Sequence, residues 1–142
     1  MRHRKATVHL GRTASHRKAL RRALACSLFR SFGSRGYIIT TREKAKFCRS
    51  FAEKLITLAK EDTVHRRRLA AARLGDKELV KKLFEEIAPA YRSRPGGYTR
   101  IIKVPKRRVG DDATQVLFGF TPVEESTRSA CAGPTHRREQ GL

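Results

Sequence analysis

Apolar residues recur at helical spacing through most of the first ninety positions, and they predict four helices. The first helix is predicted over residues 15–32, with Ser15 as its N-cap and Gly33 after its end. Its apolar stripe consists of leucines four residues apart, namely Leu20, Leu24 and Leu28. A β-branched run over residues 37–41 then predicts a brief strand or a strand-like entry into the next helix.

The second helix, over about residues 42–60, is the most strongly patterned element. Thr40 and Glu43 have the spacing of a capping box at its start. Its apolar positions lie three or four residues apart at Phe47, Phe51, Leu55 and Leu58.

Two further helices are predicted before residue 90. Thr63 can cap the third, which ends at Gly75, and Asp76 can cap the fourth, which ends near Pro89. Their apolar positions are Val64, Leu69, Ala70 and Leu74 in the third helix, and Leu79, Val80, Leu83, Phe84 and Ile87 in the fourth. These stripes are typical of hydrophobic core rather than of a cofactor site.

After Gly96 and Gly97 the apolar pattern changes to period two, which is typical of strands. Residues 98–104 and 116–120 are rich in β-formers and flank a polar loop, so we predict an antiparallel hairpin that packs on the helices. The predicted fold class is therefore α+β. It is a small two-layer domain of about four helices with a short strand, a C-terminal hairpin and a basic N-terminal arm.

The distribution of charge indicates the partner. The 142 residues include 33 Lys and Arg against 13 Asp and Glu, a net charge of +20, which predicts a polyanionic partner. Eleven of the basic residues, and no carboxylate, fall within residues 1–42. We predict three segments, namely a basic RNA-binding arm over residues 1–14, an α+β body over residues 15–122 and a flexible tail over residues 123–142.

The remaining composition limits the compartment and the chemistry. The three cysteines, Cys26, Cys48 and Cys131, form no Cys-x-x-Cys pair and favour a reducing, cytoplasmic location. No apolar run approaches the roughly 18 to 20 residues of a membrane span. The five histidines lack neighbours at metal-ligand spacing, and no phosphate-binding loop or nucleophile elbow occurs. We therefore expect no enzymatic activity, metal, cofactor, membrane or small-molecule substrate.

Several basic segments have the chemistry to bind RNA. Arg66, Arg67 and Arg68 fan over roughly 200° of a helix at about 100° per residue, so at least one should face solvent. In residues 92–100, two glycines permit close approach of backbone amides to phosphate, and Tyr98 offers a stacking plane. Residues 106–108 extend the same basic edge. The candidate RNA-binding residues are Arg2, His3, Arg4, Lys5, His9, Arg12, Ser15, His16, Arg17, Arg21, Arg22, Lys44, Lys46, Arg66, Arg67, Arg68, Arg92, Arg94, Gly96, Gly97, Tyr98, Arg100 and Lys103.

Six ordered blocks resemble the bacterial large-subunit ribosomal protein family L17. They are MRHRK (1–5), LGRTASHRKA (10–19), TTREKAK (40–46), LITLAK (55–60), RRLAAA (67–72) and GGYTRII (96–102). The resemblance covers about residues 1–122. It implies a structural component of the large ribosomal subunit that binds large-subunit rRNA near the peptide exit side, without catalytic activity. Its implied partners are that rRNA and neighbouring large-subunit proteins.

The matched positions imply RNA-facing roles for two groups of residues. These are Arg2, His3, Arg4, Lys5, Arg12, Ser15, His16 and Arg17 near the N-terminus, and Gly96, Gly97, Tyr98, Thr99 and Arg100 in the Gly-Gly-Tyr-Thr-Arg element. Three segments depart from the family pattern, namely an insertion over residues 31–36, an unusually basic hairpin loop and the tail after Val123.

Other functions are also compatible with the basic composition. A free DNA-compacting or transcription-regulating protein would be equally basic, but no helix-turn-helix spacing or dimerisation seam is evident. An RNA-modifying enzyme would need a cofactor loop that the sequence lacks. A mitochondrial presequence would also be Arg-rich and free of acid. Because the family motif begins at Met1, we expect no cleaved leader.

Overall fold

Helices pack against a three-stranded sheet in the computed structural model, which describes residues 8–122. In chain order the elements are α1 (Ala14–Ser31), β1 (Tyr37–Thr41), α2 (Arg42–Ala59), α3 (Val64–Leu74), α4 (Lys77–Lys82), a π-helical turn (Leu83–Ile87), α5 (Ala88–Ala90), β2 (Thr99–Lys103) and β3 (Gln115–Phe120). The predicted α+β class is confirmed. No helix within residues 8–122 is long and apolar enough to cross a membrane.

Two of the four predicted helix caps are correct. Thr63 Oγ1 accepts a hydrogen bond from the Arg66 amide, and Asp76 Oδ1 accepts from two amides at the start of α4. The other two predictions are wrong. Thr13 rather than Ser15 caps α1 through its side chain. The residue before α2 is Thr41 rather than Thr40, and its side chain makes no capping bond.

The sheet has the strand order β1-β3-β2, and both neighbouring pairs are antiparallel. The predicted β2–β3 hairpin is confirmed. β1 pairs with the free edge of β3, so the brief strand foreseen over residues 37–41 is part of the sheet. Ile38 and Ile101 flank Phe118 across the three strands. This row faces the helices, where Phe118 is fully buried.

The core forms around α2, which contacts α1, α3 and all three strands. Every predicted apolar position of the fourth helix is buried. The predicted stripe of α1 is wrong in part, because the helix buries Ala25, Leu28 and Phe29 while Leu20 and Leu24 remain half-buried. Val64 was also expected in the core, but it is 66% exposed.

The segment over residues 31–36 forms a tight turn at the end of α1. The amides of Ser34 and Gly36 both donate to the Ser31 carbonyl, at 3.1 and 2.9 Å. Lys82 Nζ donates to the carbonyls of Arg30 and Phe32, which ties this turn to the end of α4. The chain therefore enters β1 from a defined position against the core.

Candidate nucleic-acid interface

A row of cations runs along the face of α1 that points towards α3. Together with α2 and α3 this face encloses a cavity of about 620 Å³, which we call the basic cavity. Its lining residues are Ala14, Arg17, Lys18, Arg21, Arg22, Phe51, Leu69, Ala72 and Arg73. The lining includes five cationic side chains and no carboxylate. Such an arrangement attracts an anion, because nothing in the wall compensates the positive charge.

Arg22 is held in position by the end of α3. Its Nε donates to the Arg73 carbonyl at 2.9 Å and its Nη2 donates to the Ala72 carbonyl at 3.3 Å. A cation is favoured there because the carbonyl end of a helix carries partial negative charge. Gly75 ends α3 with φ of 73°, and a Cβ atom at this position would lie 3.3 Å from Arg22 Nη1. The turn thus leaves room for the guanidinium at the edge of the cavity.

Two arginines near the cavity have buried nitrogen atoms without a hydrogen-bond acceptor in residues 8–122, namely Arg21 Nε and Arg12 Nη1. The guanidinium carbon of Arg21 lies 4.4 Å from the centre of the Phe47 ring, which is a cation–π contact. Arg17 Nη1 donates to the Arg12 carbonyl at 2.5 Å and connects this turn to α1. Buried donors without acceptors are costly, so an anionic ligand that supplied acceptors here would be stabilised.

A second group of cations lies between α2 and the sheet. Arg42, Lys46, Arg49 and Lys103 line a cavity of about 450 Å³ together with Ile101 and Val116. Arg49 pairs with Glu53 at 3.2 Å. Lys46 and Lys103 have no ion pair or side-chain hydrogen bond among the residues that the structure describes, so both can reach an external anion. Lys44 is half-buried and is not part of this lining.

The three consecutive arginines of α3 have different surroundings. Arg66 pairs with Glu61 at 2.5 Å, and Arg67 pairs through two nitrogens with Asp62 at 2.6 Å. The hydrogen bonds between Arg67 and Asp62 raise the pKa of the arginine and lower the pKa of the carboxyl. Arg68 is exposed and has no carboxylate partner within residues 8–122. Of the three, Arg68 is therefore the residue with an uncompensated charge.

The Gly-Gly element differs from its predicted form at one residue. Tyr98 is 1% exposed and packs edge-on against Tyr91 at a centroid distance of 5.6 Å. The expectation that Tyr98 stacks on an RNA base is therefore wrong, because its ring packs in the core just before β2 begins. No hydrogen bond among the described residues uses the amides of Gly96 and Gly97, so both remain able to donate to phosphate.

The neighbouring arginines of this element are oriented outwards to different degrees. Arg92 and Arg100 are exposed, whereas Arg94 Nη1 donates to the Pro122 carbonyl at 3.4 Å. Lys60 Nζ donates to the Arg94 carbonyl and lies 4.8 Å from the centre of the Tyr98 ring. Much of this turn is thus occupied by contacts within the protein.

The two arginines of the hairpin loop form ion pairs within the loop. Arg107 pairs with Asp112 and Arg108 pairs with Asp111. The Arg108 hydrogen bond lowers the pKa of Asp111 to about 2, so this pair stays ionised at neutral pH. Each of these two arginines thus has a carboxylate partner within the loop, and the extension of the basic edge to them stays a prediction.

The structure brings some predicted residues together and separates others. Arg17, Arg21 and Arg22 meet in the basic cavity, while Lys46 and Lys103 meet in the second cavity. His9, Ser15 and His16 are exposed beside the start of α1. The predicted contacts at Arg2, His3, Arg4 and Lys5 lie outside the described residues.

Lys18 and Arg73 are cavity residues that the sequence analysis did not propose. The signal was present in the helical spacing of the lining residues on α1, which lie at Ala14, Arg17, Lys18, Arg21 and Arg22. Leu69, Ala72 and Arg73 repeat the same spacing on α3. The spacing on α1 indicates Lys18, whereas Arg73 joins the cavity only because α3 packs against α1.

The family model and the relatives that match this chain all belong to one family. Residues 20–121 match the family described as "Ribosomal protein L17". A protein named "Large ribosomal subunit protein bL17" from Dictyoglomus turgidum is 52% identical over 120 residues, covering 84% of this chain and 99% of the relative. The protein of that name from Dictyoglomus thermophilum is 53% identical over 118 residues, covering 83% and 97%. The one from Sulfurihydrogenibium sp. is 50% identical over 120 residues, covering 84% and 96%.

Proposed function

Because the chain belongs to the ribosomal protein L17 family, we propose that it is a structural constituent of the large ribosomal subunit in the bacterial cytoplasm and binds large-subunit rRNA. The observation that supports RNA binding most strongly is the basic cavity, whose five cations lack any carboxylate in the lining. The relatives are named as ribosomal proteins, and the proposed role requires no catalysis. Its other partners would be neighbouring proteins of the same subunit.

RNA binding at these surfaces would act through the phosphates. Each cation that replaces a counterion on the phosphate backbone releases that ion, so the affinity rises as salt falls. Phe51, in the basic cavity, lies about half a turn around α2 from the row of Arg42, Lys46 and Arg49. The two cavities therefore open on opposite sides of α2. One protein body can hold two rRNA segments at a fixed separation.

The N-terminal arm would extend the same surface. Ala14, the first residue of α1, lines the basic cavity, so the chain over residues 1–13 connects to the helix at that place. Arg2, Arg4 and Lys5 would then add phosphate contacts beside those of α1. This division of roles, with a body that fixes the position of a cationic arm, remains a prediction.

Sedimentation tests the assignment. Bacterial cells would express a tagged full-length chain, and their lysate would be separated on a sucrose gradient. We expect the tagged protein in the large-subunit fractions. Recovery only in the soluble fraction would contradict the proposed function.

Competition binding separates this function from that of a free DNA-binding protein. The purified chain would be offered labelled large-subunit rRNA together with unlabelled duplex DNA. We expect a large excess of duplex to compete poorly. A clear preference for duplex DNA would support the alternative.

A further inference from the structure

We propose that the basic cavity binds one unpaired RNA nucleotide, with its base against the apolar floor and its phosphate among the arginines. This inference rests on the proposed RNA-binding function and adds the form of RNA that the cavity accepts. Unpaired bases in loops and bulges are the parts of RNA that proteins bind through side-chain stacking. A continuous duplex could place only phosphates at such a site.

The size and floor of the cavity favour a base over a phosphate alone. Its volume of about 620 Å³ falls within the range of about 300 to 1,000 Å³ that is usual for sites of small organic ligands. Phe51 and Leu69 present half-buried apolar surface to the interior. A phosphate gains nothing from these side chains, whereas the flat face of a base loses water when it packs against them.

The cationic side chains are arranged around this floor. Arg22 is held by two carbonyls at the end of α3, and the Arg21 guanidinium lies over Phe47 and 5.9 Å from the centre of the Phe51 ring. Arg21 Nε is buried without an acceptor among the described residues. Because these side chains are already positioned, a nucleotide that enters would require little ordering of the protein.

A path for the adjoining nucleotide continues from the cavity. Leu69 and Arg73 also line a shallower depression of about 480 Å³, whose other lining residues include Lys54 and His65. The two depressions share a wall on α3. An RNA strand that places one base in the basic cavity can therefore run on across α3 towards α2 over a cationic surface.

The test compares RNA hairpins that differ at a single position. The full-length protein would be titrated against four hairpins with one bulged nucleotide, A, C, G or U, and against a fifth hairpin whose bulged position lacks the base. We expect at least one of the four to bind at least about fivefold more tightly than the abasic hairpin, the effect of one stacked base. This comparison needs no protein variant.

Two matched variants then locate the base. F51L removes the ring from the cavity floor, whereas F32L makes the same change at another half-buried ring, which packs against Tyr91 and Phe120 outside the cavity lining. Circular dichroism would show that both variants fold. We expect F51L to bring the ratio of affinities between base-bearing and abasic hairpins close to one, and F32L to leave this ratio unchanged.

The outcomes separate this inference from the proposed function. Equal affinity of the wild-type protein for all five hairpins would overturn the base site but leave RNA binding intact. A base preference that F51L preserves would place the base elsewhere and would also overturn the inference. Failure to bind any of the hairpins or large-subunit rRNA would contradict the proposed function itself.

Discussion

Adjacent arginines on α3 show that the positive charge available to a ligand depends on the ion-pair partner of each side chain. Arg67 is neutralised by Asp62, while Arg68 remains exposed without a carboxylate in the described part of the chain. Glu61 and Asp62 both precede α3 in the sequence, but the sequence does not determine which arginine pairs with each of them. Tyr98 shows the same limit for burial, because it lies just before β2 and its ring enters the core only through packing against Tyr91, which is seven residues away in the sequence.

Gly119 is predicted to be essential for close packing of β1 on β3. A Cβ atom there would lie 2.7 Å from Tyr37 Cβ and 2.8 Å from the Gly36 carbonyl oxygen, so the strands would have to move apart. We expect Gly119→Ala to lower the free energy of unfolding by about 1 to 3 kcal/mol, the usual cost of overpacking. Urea denaturation measures this loss.

Gly96→Ala is the matched control for this substitution. A Cβ atom at Gly96 would meet no atom within 4 Å, and its backbone φ is not positive. The free energy of unfolding should change by no more than about 0.5 kcal/mol. Equal losses in the two variants would contradict the packing argument.

Cys48 predicts a loss of stability at alkaline pH. Burial raises the pKa of its thiol from about 9 to about 12, so the folded protein keeps a proton that the unfolded chain releases. The contribution to stability is complete below about pH 9 and is lost as the pH rises to about 12, by at most about 1.4 kcal/mol per pH unit.

Urea denaturation of the wild-type protein and Cys48→Ala at pH 8, 9 and 10, in oxygen-free buffer, measures this contribution. Lysines and tyrosines titrate in both proteins, so the difference between their pH dependences isolates Cys48. We expect the wild type to lose more stability than the variant above pH 9. Parallel curves would contradict the account of the buried thiol.

Among the helices and strands, capping provides a direct comparison of two similar hydroxyl residues. Thr63 Oγ1 accepts a hydrogen bond from the Arg66 amide at the start of α3, whereas within residues 8–122 the Ser15 hydroxyl hydrogen-bonds only to the Thr13 hydroxyl. Thr63→Ala should lower the free energy of unfolding by about 1 kcal/mol, and Ser15→Ala should change it by less than about 0.5 kcal/mol. Thermal or urea unfolding checks both values, and the reverse order would show that the caps are misassigned.

Most elements could be predicted from local pattern because helical and strand periodicities differ. The bounds of α2 and α3 agree closely with the predicted ones. Pairing of β1 could not be predicted, because its partner lies more than seventy residues further along the chain. The buried face of α1 differs from the predicted leucine stripe because Ala25 and Phe29 pack in the core, and the leucine spacing alone does not indicate this.

The π-helical turn explains a feature of the fourth helix that periodicity alone leaves open. Buried residues over α4, the π-helical turn and α5 come in adjacent pairs, and each pair lies four positions after the last, at Leu79 and Val80, Leu83 and Phe84, and Ile87 and Ala88. An α-helix has 3.6 residues per turn, so pairs spaced by four would drift around its surface. A wider turn over Leu83–Ile87 keeps all three pairs towards the core.

Across the molecule, ion pairing rather than composition decides where the net charge of +20 is available. Most carboxylates of the body form ion pairs with nearby cations, which include both arginines of the hairpin loop. The basic cavity retains its charge because no carboxylate enters its lining. The sequence predicted the basic character of α1, but the cavity could not be predicted because its wall needs the packing of three helices.

The central claim is that the cations of the basic cavity bind the phosphates of rRNA. Its most direct test is the salt dependence of the Kd for large-subunit rRNA, measured for two triple variants. One carries Gln at Arg17, Lys18 and Arg73 of the cavity, and the other carries Gln at Arg30, Arg67 and Arg107, each of which pairs with a carboxylate. Both variants lower the net charge from +20 to +17.

Each lost phosphate contact should reduce the slope of log K against log salt concentration by about 0.7 to 0.9. We predict that the cavity variant reduces the magnitude of the slope by about 2 to 3, and that the paired-arginine variant reduces it by less than about 1. Equal slopes for the two variants would contradict the claim, because the affinity would then follow total charge rather than the basic cavity.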